Sequence, residues 1–258
     1  VADEIDPAVL AGNIIIVPRV NVPAYLEGSR WNSVDGMDLN RQFPGNPNGF
    51  LAQRIAHFVQ AELLAGADLV IDLHGGTTQL EVFSYGNATA SPDLLPEIRR
   101  CIATRHIFDT AIRTDMTSTL SQVAHKMGIP AAVIEIGGGN RWSEGPVQDA
   151  LRGIRNLLRF NGQIQGPYED LPEEQLLLRG LFVHAGVDGF LRPRAALGEW
   201  VEKGQALATI VNLLGEEIET VRSLVDGVVN DIRSAPNVRT GEWLYLVGEV
   251  QERLTYSA

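Results

Sequence analysis

The sequence predicts an α/β layer fold with a largely parallel sheet, followed by an all-β region. Three observations carry this. In the first two-thirds of the chain, short apolar runs alternate with amphipathic stretches of helical length, the pattern of strands crossing to strands through helices. Beyond about residue 175, short apolar runs are broken by Gly, Pro and Asp turns roughly every ten residues, which reads as all-β. Between them, Gln163–Glu174 (QIQGPYEDLPEE) is polar and carries Pro and Gly, as a linker does. The expected division is therefore an α/β domain over 1–165 and a β domain over 175–258.

The elements follow in order. Asn13–Val20 (NIIIVPRV) is a continuous apolar run and predicts a strand covered on both faces. From Gly49 to Gly66 the positions Leu51, Ile55, Phe58, Val59 and Leu63 keep helical spacing, with Gly66 as a stop. Asp68–His74 (DLVIDLH) predicts a buried strand and Leu80–Tyr85 a shorter one. Pro92–His106 and Ser118–Gly128 read as helices, Pro130–Ile136 as a buried strand, and Pro146–Phe160 as a long helix ended by Asn161-Gly162.

Composition narrows the function. With 258 residues, 45% of them hydrophobic, the chain can bury one large core or a medium and a small one. A net charge of -11 and a pI near 4.9 argue against nucleic acid and anionic membrane as partners, since both need a basic footprint. Lys126 and Lys203 are the only lysines, so an anionic substrate would rely on local arginines. One cysteine, Cys101, permits no intrachain disulfide and fits a reducing, cytoplasmic setting; in a predicted helix it reads as a packing residue. No apolar stretch approaches the ~20 residues of a membrane span, and Val1–Leu10 is acidic, without the apolar core of a signal peptide.

Three features can carry chemistry. In open α/β sheets, sites form beyond the carboxyl ends of strands. His74 ends DLVIDLH there, although a loop histidine held by a hydrogen bond is the blander reading. Glu135 lies inside the apolar run AAVIEIGGG. A carboxylate buried without a partner costs several kcal/mol, so it calls for a metal, a cation or a proton. The three glycines after it suggest backbone lying close to a ligand. The third feature is the loop GMDLNRQFPG, Gly36–Gly45, where Asn40 and Arg41 can grip a carboxylate, the guanidinium with two parallel bonds; a surface salt bridge is the alternative for Arg41.

The succession VPRVNVPA, DLNRQFPG, IDLH and VIEIG resembles the succinylglutamate desuccinylase/aspartoacylase family across nearly the whole chain. The resemblance implies a zinc carboxypeptidase-like mixed sheet with flanking helices. It makes His74 the last zinc ligand, Glu135 the residue that activates water and shuttles its proton, and Asn40 with Arg41 the grip on the substrate carboxylate. Arg30, in EGSRWNSVDGMDLNR, would match the arginine that polarises the scissile carbonyl. The implied activity is zinc-dependent hydrolysis of the amide bond of an N-acyl amino acid, with N-acetyl-diaminobutyrate a specific candidate. A non-catalytic carboxylate-binding protein and a carboxypeptidase are the rival readings.

The sequence departs from the family in two places. The family takes its first two ligands from an upstream His-x-x-Glu. None of His57, His74, His106, His125 and His184 is followed by Glu three residues later, so those ligands are expected upstream of Val1. A catalytic zinc needs three protein ligands. One ion per full-length subunit is therefore expected, and no tight zinc on these residues alone. Some relatives also carry an arginine before the catalytic-glutamate strand, where this chain has His125 and Lys126; these suggest a different acyl group or a cationic amino-acid side chain, or simply a helix surface.

Residues 176–250 resemble the barrel-sandwich half-repeats of biotinyl/lipoyl domains, with VDGF and VDGV at corresponding turns. The exposed hairpin before the second VDG reads LLGEEIETVRSL and has no lysine, which argues against covalent biotin or lipoate. Structural support, access control or oligomer contact remain, and apolar exposed edges could support a homo-oligomer.

Overall fold

The computed structural model describes residues 5–76, 80–87, 96–102, 106–108, 118–139 and 141–256. A short helix α1 (Val22–Leu26) precedes a 3-10 turn at Leu39–Arg41. Helix α2 (Leu51–Phe58) runs on through a π turn (Val59–Leu63) and leads to β1 (Val70–His74). Then come β2 (Leu80–Asn87), α3 (Pro96–Ile102), β3 (His106–Phe108), α4 (Leu120–Lys126), β4 (Ala131–Gly138) and α5 (Glu144–Phe160). The rest is strand: β5 (Glu174–His184), β6 (Gly189–Pro193), β7 (Trp200–Val201), β8 (Ala206–Val211), β9 (Glu217–Arg222), β10 (Gly227–Arg233), β11 (Asn237–Val238) and β12 (Trp243–Thr255).

Eight strands form one mixed sheet in the order β1-β4-β2-β3-β5-β12-β10-β7. β1 and β4 are parallel, with His74 directly opposite Glu135. β2 runs antiparallel to β4 and also pairs β10. The pairings therefore close a ring through β2, β3, β5, β12 and β10, filled by Val82, Leu178 and Leu246. A second, antiparallel sheet, β11-β6-β8-β9, packs over a separate core that includes Leu191, Val201, Leu207, Ile210, Val229 and Leu244. The α/β and β parts thus share one continuous sheet and keep largely separate cores. No described helix is long and apolar enough to cross a membrane.

Three sequence expectations change. The large sheet is mixed and not largely parallel: β1–β4, β2–β3 and β3–β5 are parallel, and its other pairings are antiparallel, because β2 runs against β4 and the β region adds β5, β12, β10 and β7 to the same sheet. Asn13–Val20 forms no strand; Ile15, Ile16 and Val17 are extended and 66%, 47% and 42% exposed. An apolar run becomes a buried strand only when neighbours pair with it. Here β1 pairs β4 alone, and the segment is tied instead to the end of α5, where Ala11 N–H donates to the Gln163 carbonyl. The expected helix Pro92–His106 is also shorter. The described helix is Pro96–Ile102, and His106 opens strand β3, buried, in parallel pairing with Leu176 of β5; residues 92–95 and 103–105 lie outside the described set.

Candidate active site

The site is built at the carboxyl ends of β1 and β4. Helices α2 and α4 each precede one of these parallel strands, and α4 packs against both strands. The loop carrying the sequence-predicted polar residues is fastened to both helices. The Asp35 carboxylate accepts the Ala52 N–H at the start of α2 (2.7 Å), and the Asn40 side-chain oxygen accepts the Leu120 N–H at the start of α4 (2.9 Å). Asn40 is thereby oriented with its oxygen committed and its NH₂ directed elsewhere.

Asp38 organises the rest of the loop. One oxygen accepts the Asn40 N–H at 3.0 Å and caps the Leu39–Arg41 turn. The other accepts both Nε (2.9 Å) and Nη2 (2.8 Å) of Arg30. The Arg41 guanidinium donates to the Asn40 carbonyl at 2.7 Å. Arg30, Asn40 and Arg41 are thus gathered in one braced loop.

His74 and Glu135 meet directly. His74 Nδ1 lies 3.3 Å from Glu135 Oε1, and its Nε2 lies 2.9 Å from Asp72 Oδ2. Asp72 precedes His74 by two residues in β1, so both point to the same face. Burial opposes a charge on His74, but the hydrogen bonds that its ring donates to the Asp72 and Glu135 carboxylates outweigh it and raise the imidazole pKa to about 10. Both ring nitrogens are engaged. Among the described residues no group of three or more His, Cys, Asp and Glu is arranged to hold a metal ion. These residues therefore do not by themselves fit the zinc that the resemblance implies.

Of the three glycines after Glu135, Gly138 has a reason within the chain itself. A Cβ on Gly138 (φ +118°) would stand 2.4 Å from the Leu80 carbonyl oxygen and 2.7 Å from Gly76 Cα. The close approach at Gly138 is to the chain's own backbone at the strand ends. His125 and Lys126 occupy the last turn of α4, at the far end of the helix from Leu120 and Asn40. Sequence reading placed Asp38 in the polar loop trio with Asn40 and Arg41 without giving it a role, and passed over Asp72 and Asp231. The last is a buried acid on β10 whose pKa is raised first by burial and then by the Glu135 charge. Both of these had a signal: Asp72 shares a strand face with His74, and Asp231 interrupts the apolar run GVVNDI as Glu135 interrupts AAVIEI.

The model of the succinylglutamate desuccinylase/aspartoacylase catalytic domain matches residues 1–161. The chain belongs to this family. An N-alpha-acetyl-L-2,4-diaminobutyric acid deacetylase from Halomonas elongata is 28% identical over 254 residues, 94% of this chain and 74% of that protein. The product-bound structure of the ectoine utilization protein EutE (DoeB) from Ruegeria pomeroyi is 28% identical, with a TM-score of 0.84 over 96% of this chain and 78% of that one. A succinylglutamate desuccinylase/aspartoacylase from Rhodobacter sphaeroides is 26% identical, with a TM-score of 0.84 over 96% and 79% of the two chains. These family members share the fold through the β region as well, since the match reaches nearly the whole chain.

Proposed function

We propose that this chain carries the substrate-holding and proton-handling parts of an enzyme that hydrolyses the amide bond of an N-acyl amino acid, with N-acetyl-diaminobutyrate as the specific candidate. The observation that carries the reading is the His74–Glu135 contact at the paired ends of β1 and β4, beside a loop that presents an amide and two guanidiniums. Asn40 and Arg41 hold the α-carboxylate, the amide by one hydrogen bond and the guanidinium by a charge-assisted pair. That fixes the scissile amide next to Glu135. Glu135 takes a proton from the attacking water and returns it to the departing amine. Arg30, held by Asp38, offers its guanidinium to the charge that develops on the amide oxygen. The products are a free amino acid and a carboxylate such as acetate or succinate.

Zinc, expected from the resemblance, supplies Lewis-acid chemistry when bound. The described donors do not make a set for it, and no step is drawn through it. The dialysed chain is expected to retain well under one equivalent of zinc by elemental analysis. Cys101 is buried and its thiol is pushed up to about 11, chiefly by burial, so it plays no part in the chemistry and suits a cytoplasmic setting. The test is release of acetate or succinate from N-acetyl and N-succinyl amino acids by the zinc-loaded full-length protein. No release from any of them would overturn the reading.

A further inference from the structure

Asp231 lies on β10, the strand by which the β region joins the site-bearing sheet. It is 5% exposed, and its Oδ1 has no hydrogen-bond partner among the described residues. It stands opposite Val82 on β2 and Leu246 on β12, two of the buried apolar residues that fill the ring. Val82 in turn stands opposite Gly137, two residues beyond Glu135. The register of β10 against β12 shifts between Val229 and Asp231, a bulge of the kind that re-aims a side chain.

Among the described residues no ion pair to this carboxyl is seen; the nearest imidazole contact on β10 is that of His106 on β3 with the adjacent Asn230, at 3.1 Å. Arg233, two residues along, is taken by the Asn237 carbonyl and the Glu242 carboxylate. On β2, Glu81 is opposite Ile232 rather than Asp231. β12 contributes Tyr245 and Leu246, and β7 contributes Trp200 and Val201. An orphaned buried acid in a native fold calls for an explanation. Burial first, and the Glu135 charge second, push its pKa well above the usual carboxylate range, which favours the protonated form.

We propose that Asp231 is a specificity residue that receives a cationic amino group on the substrate's side chain, so that the site favours diamino acids over neutral ones. This rests on the N-acyl amino acid reading above. With the α-carboxylate at Asn40 and Arg41 and the amide at Glu135, the side chain extends across β2 toward β10. An ammonium arriving there gives the buried carboxyl its missing partner. Asp231 then ionises and its proton passes to solvent: the carboxylic acid and the ammonium become an ion pair plus one free proton.

The experiment is calorimetric titration of this chain and of Asp231→Asn with L-2,4-diaminobutyrate and with L-2-aminobutyrate, near pH 6, in two buffers of different ionisation enthalpy. Wild type is expected to bind the diamino acid about tenfold or more tightly than the neutral one, the scale of one charge-assisted hydrogen bond, with net proton release for the diamino acid alone. Asp231→Asn should level the two affinities. Equal affinities in wild type, or a preference that survives in Asp231→Asn, overturns the role of Asp231 and leaves the carboxylate site standing. Binding of neither amino acid overturns the functional reading and this inference together. The proton count is read on wild type, so it decides even if the variant fails to fold; the same count for both ligands overturns the inference.

Discussion

Two groups of buried or half-buried acids show opposite solutions to one problem. After α5, Glu169 is met by two arginines: Arg155 through Nε (2.9 Å) and Nη2 (2.6 Å), and Arg159 through Nη1 (2.6 Å). Its own N–H and C=O are closed off by the buried Asn156 side chain. Its carboxyl is held down at about 2, first by Arg155, against the opposing effect of burial, and then by Arg159. On the β1–β4–β2–β10 side, Asp72 and Glu135 share a single histidine, and Asp231 Oδ1 has no hydrogen-bond partner among the described residues. The first group is over-neutralised and acts as a latch between the linker and the helix. The second is left short of positive charge, which is costly in a fold and useful in a site that must accept a proton or a cation.

If that contrast is right, removing one acid from each group separates rate from stability. Glu135→Gln keeps the shape and removes the proton acceptor. Its hydrolytic rate is expected to fall by about 10²–10⁴-fold, with the urea midpoint little changed. A variant that hydrolyses at near the wild-type rate would take Glu135 out of the proton-handling role. Arg41→Ala tests the other half of the site. It is expected to raise KM about 10–100-fold, the loss of a charge-assisted carboxylate contact, with a smaller effect on kcat; a loss confined to kcat would contradict a binding role.

Glu169→Gln should do the reverse. Kinetics stay at the wild-type level while urea unfolding shows a loss of about 1–3 kcal/mol, the range for hydrogen bonds to charged groups. The sign of its pH dependence follows from a folded pKa below the unfolded value. The stabilisation is complete above the unfolded carboxylate pKa of about 4.3 and drains away as pH falls toward about 2. The gap between wild type and Glu169→Gln should close over that acidic window. A gap that stays constant there would mean that the latch does not work through charge.

These two groups were unequally legible in the sequence. Periodicity reports which face a residue occupies and says little about which strand will lie beside it. His74 and Glu135 were found because each ends or interrupts an apolar strand, a local signal. Asn40, Arg41 and Arg30 were found through the DLNR resemblance. Asp231 carried the same local signal as Glu135, but its connection to the site runs through the β10–β2 pairing, which joins residues about 150 positions apart. Nothing in the local pattern announces that pairing. Glu169 was read only as part of a polar linker, because its arginines lie a helix away. Asn13–Val20 failed for the complementary reason: its composition fits a buried strand, and no described strand lies alongside it.

The smallest expected effect concerns a residue that resemblance alone brought forward. His125 sits in the last turn of α4, whose first residue is the one that fastens Asn40. At ~1.5 Å rise per residue, the length of the helix separates it from the strand ends where His74 and Glu135 meet. A role in acyl recognition would require the substrate to pass back along the helix, away from the carboxyl ends of the strands. The bland reading, a half-buried helix residue near the C-terminal end of the helix dipole, needs no such path. His125→Ala is therefore expected to leave kcat/KM for N-acetyl and N-succinyl substrates within about twofold, a few tenths of a kcal/mol. A selective loss of one acyl group over the other would move acyl recognition to the far end of α4 and break the assignment of the site to the strand ends.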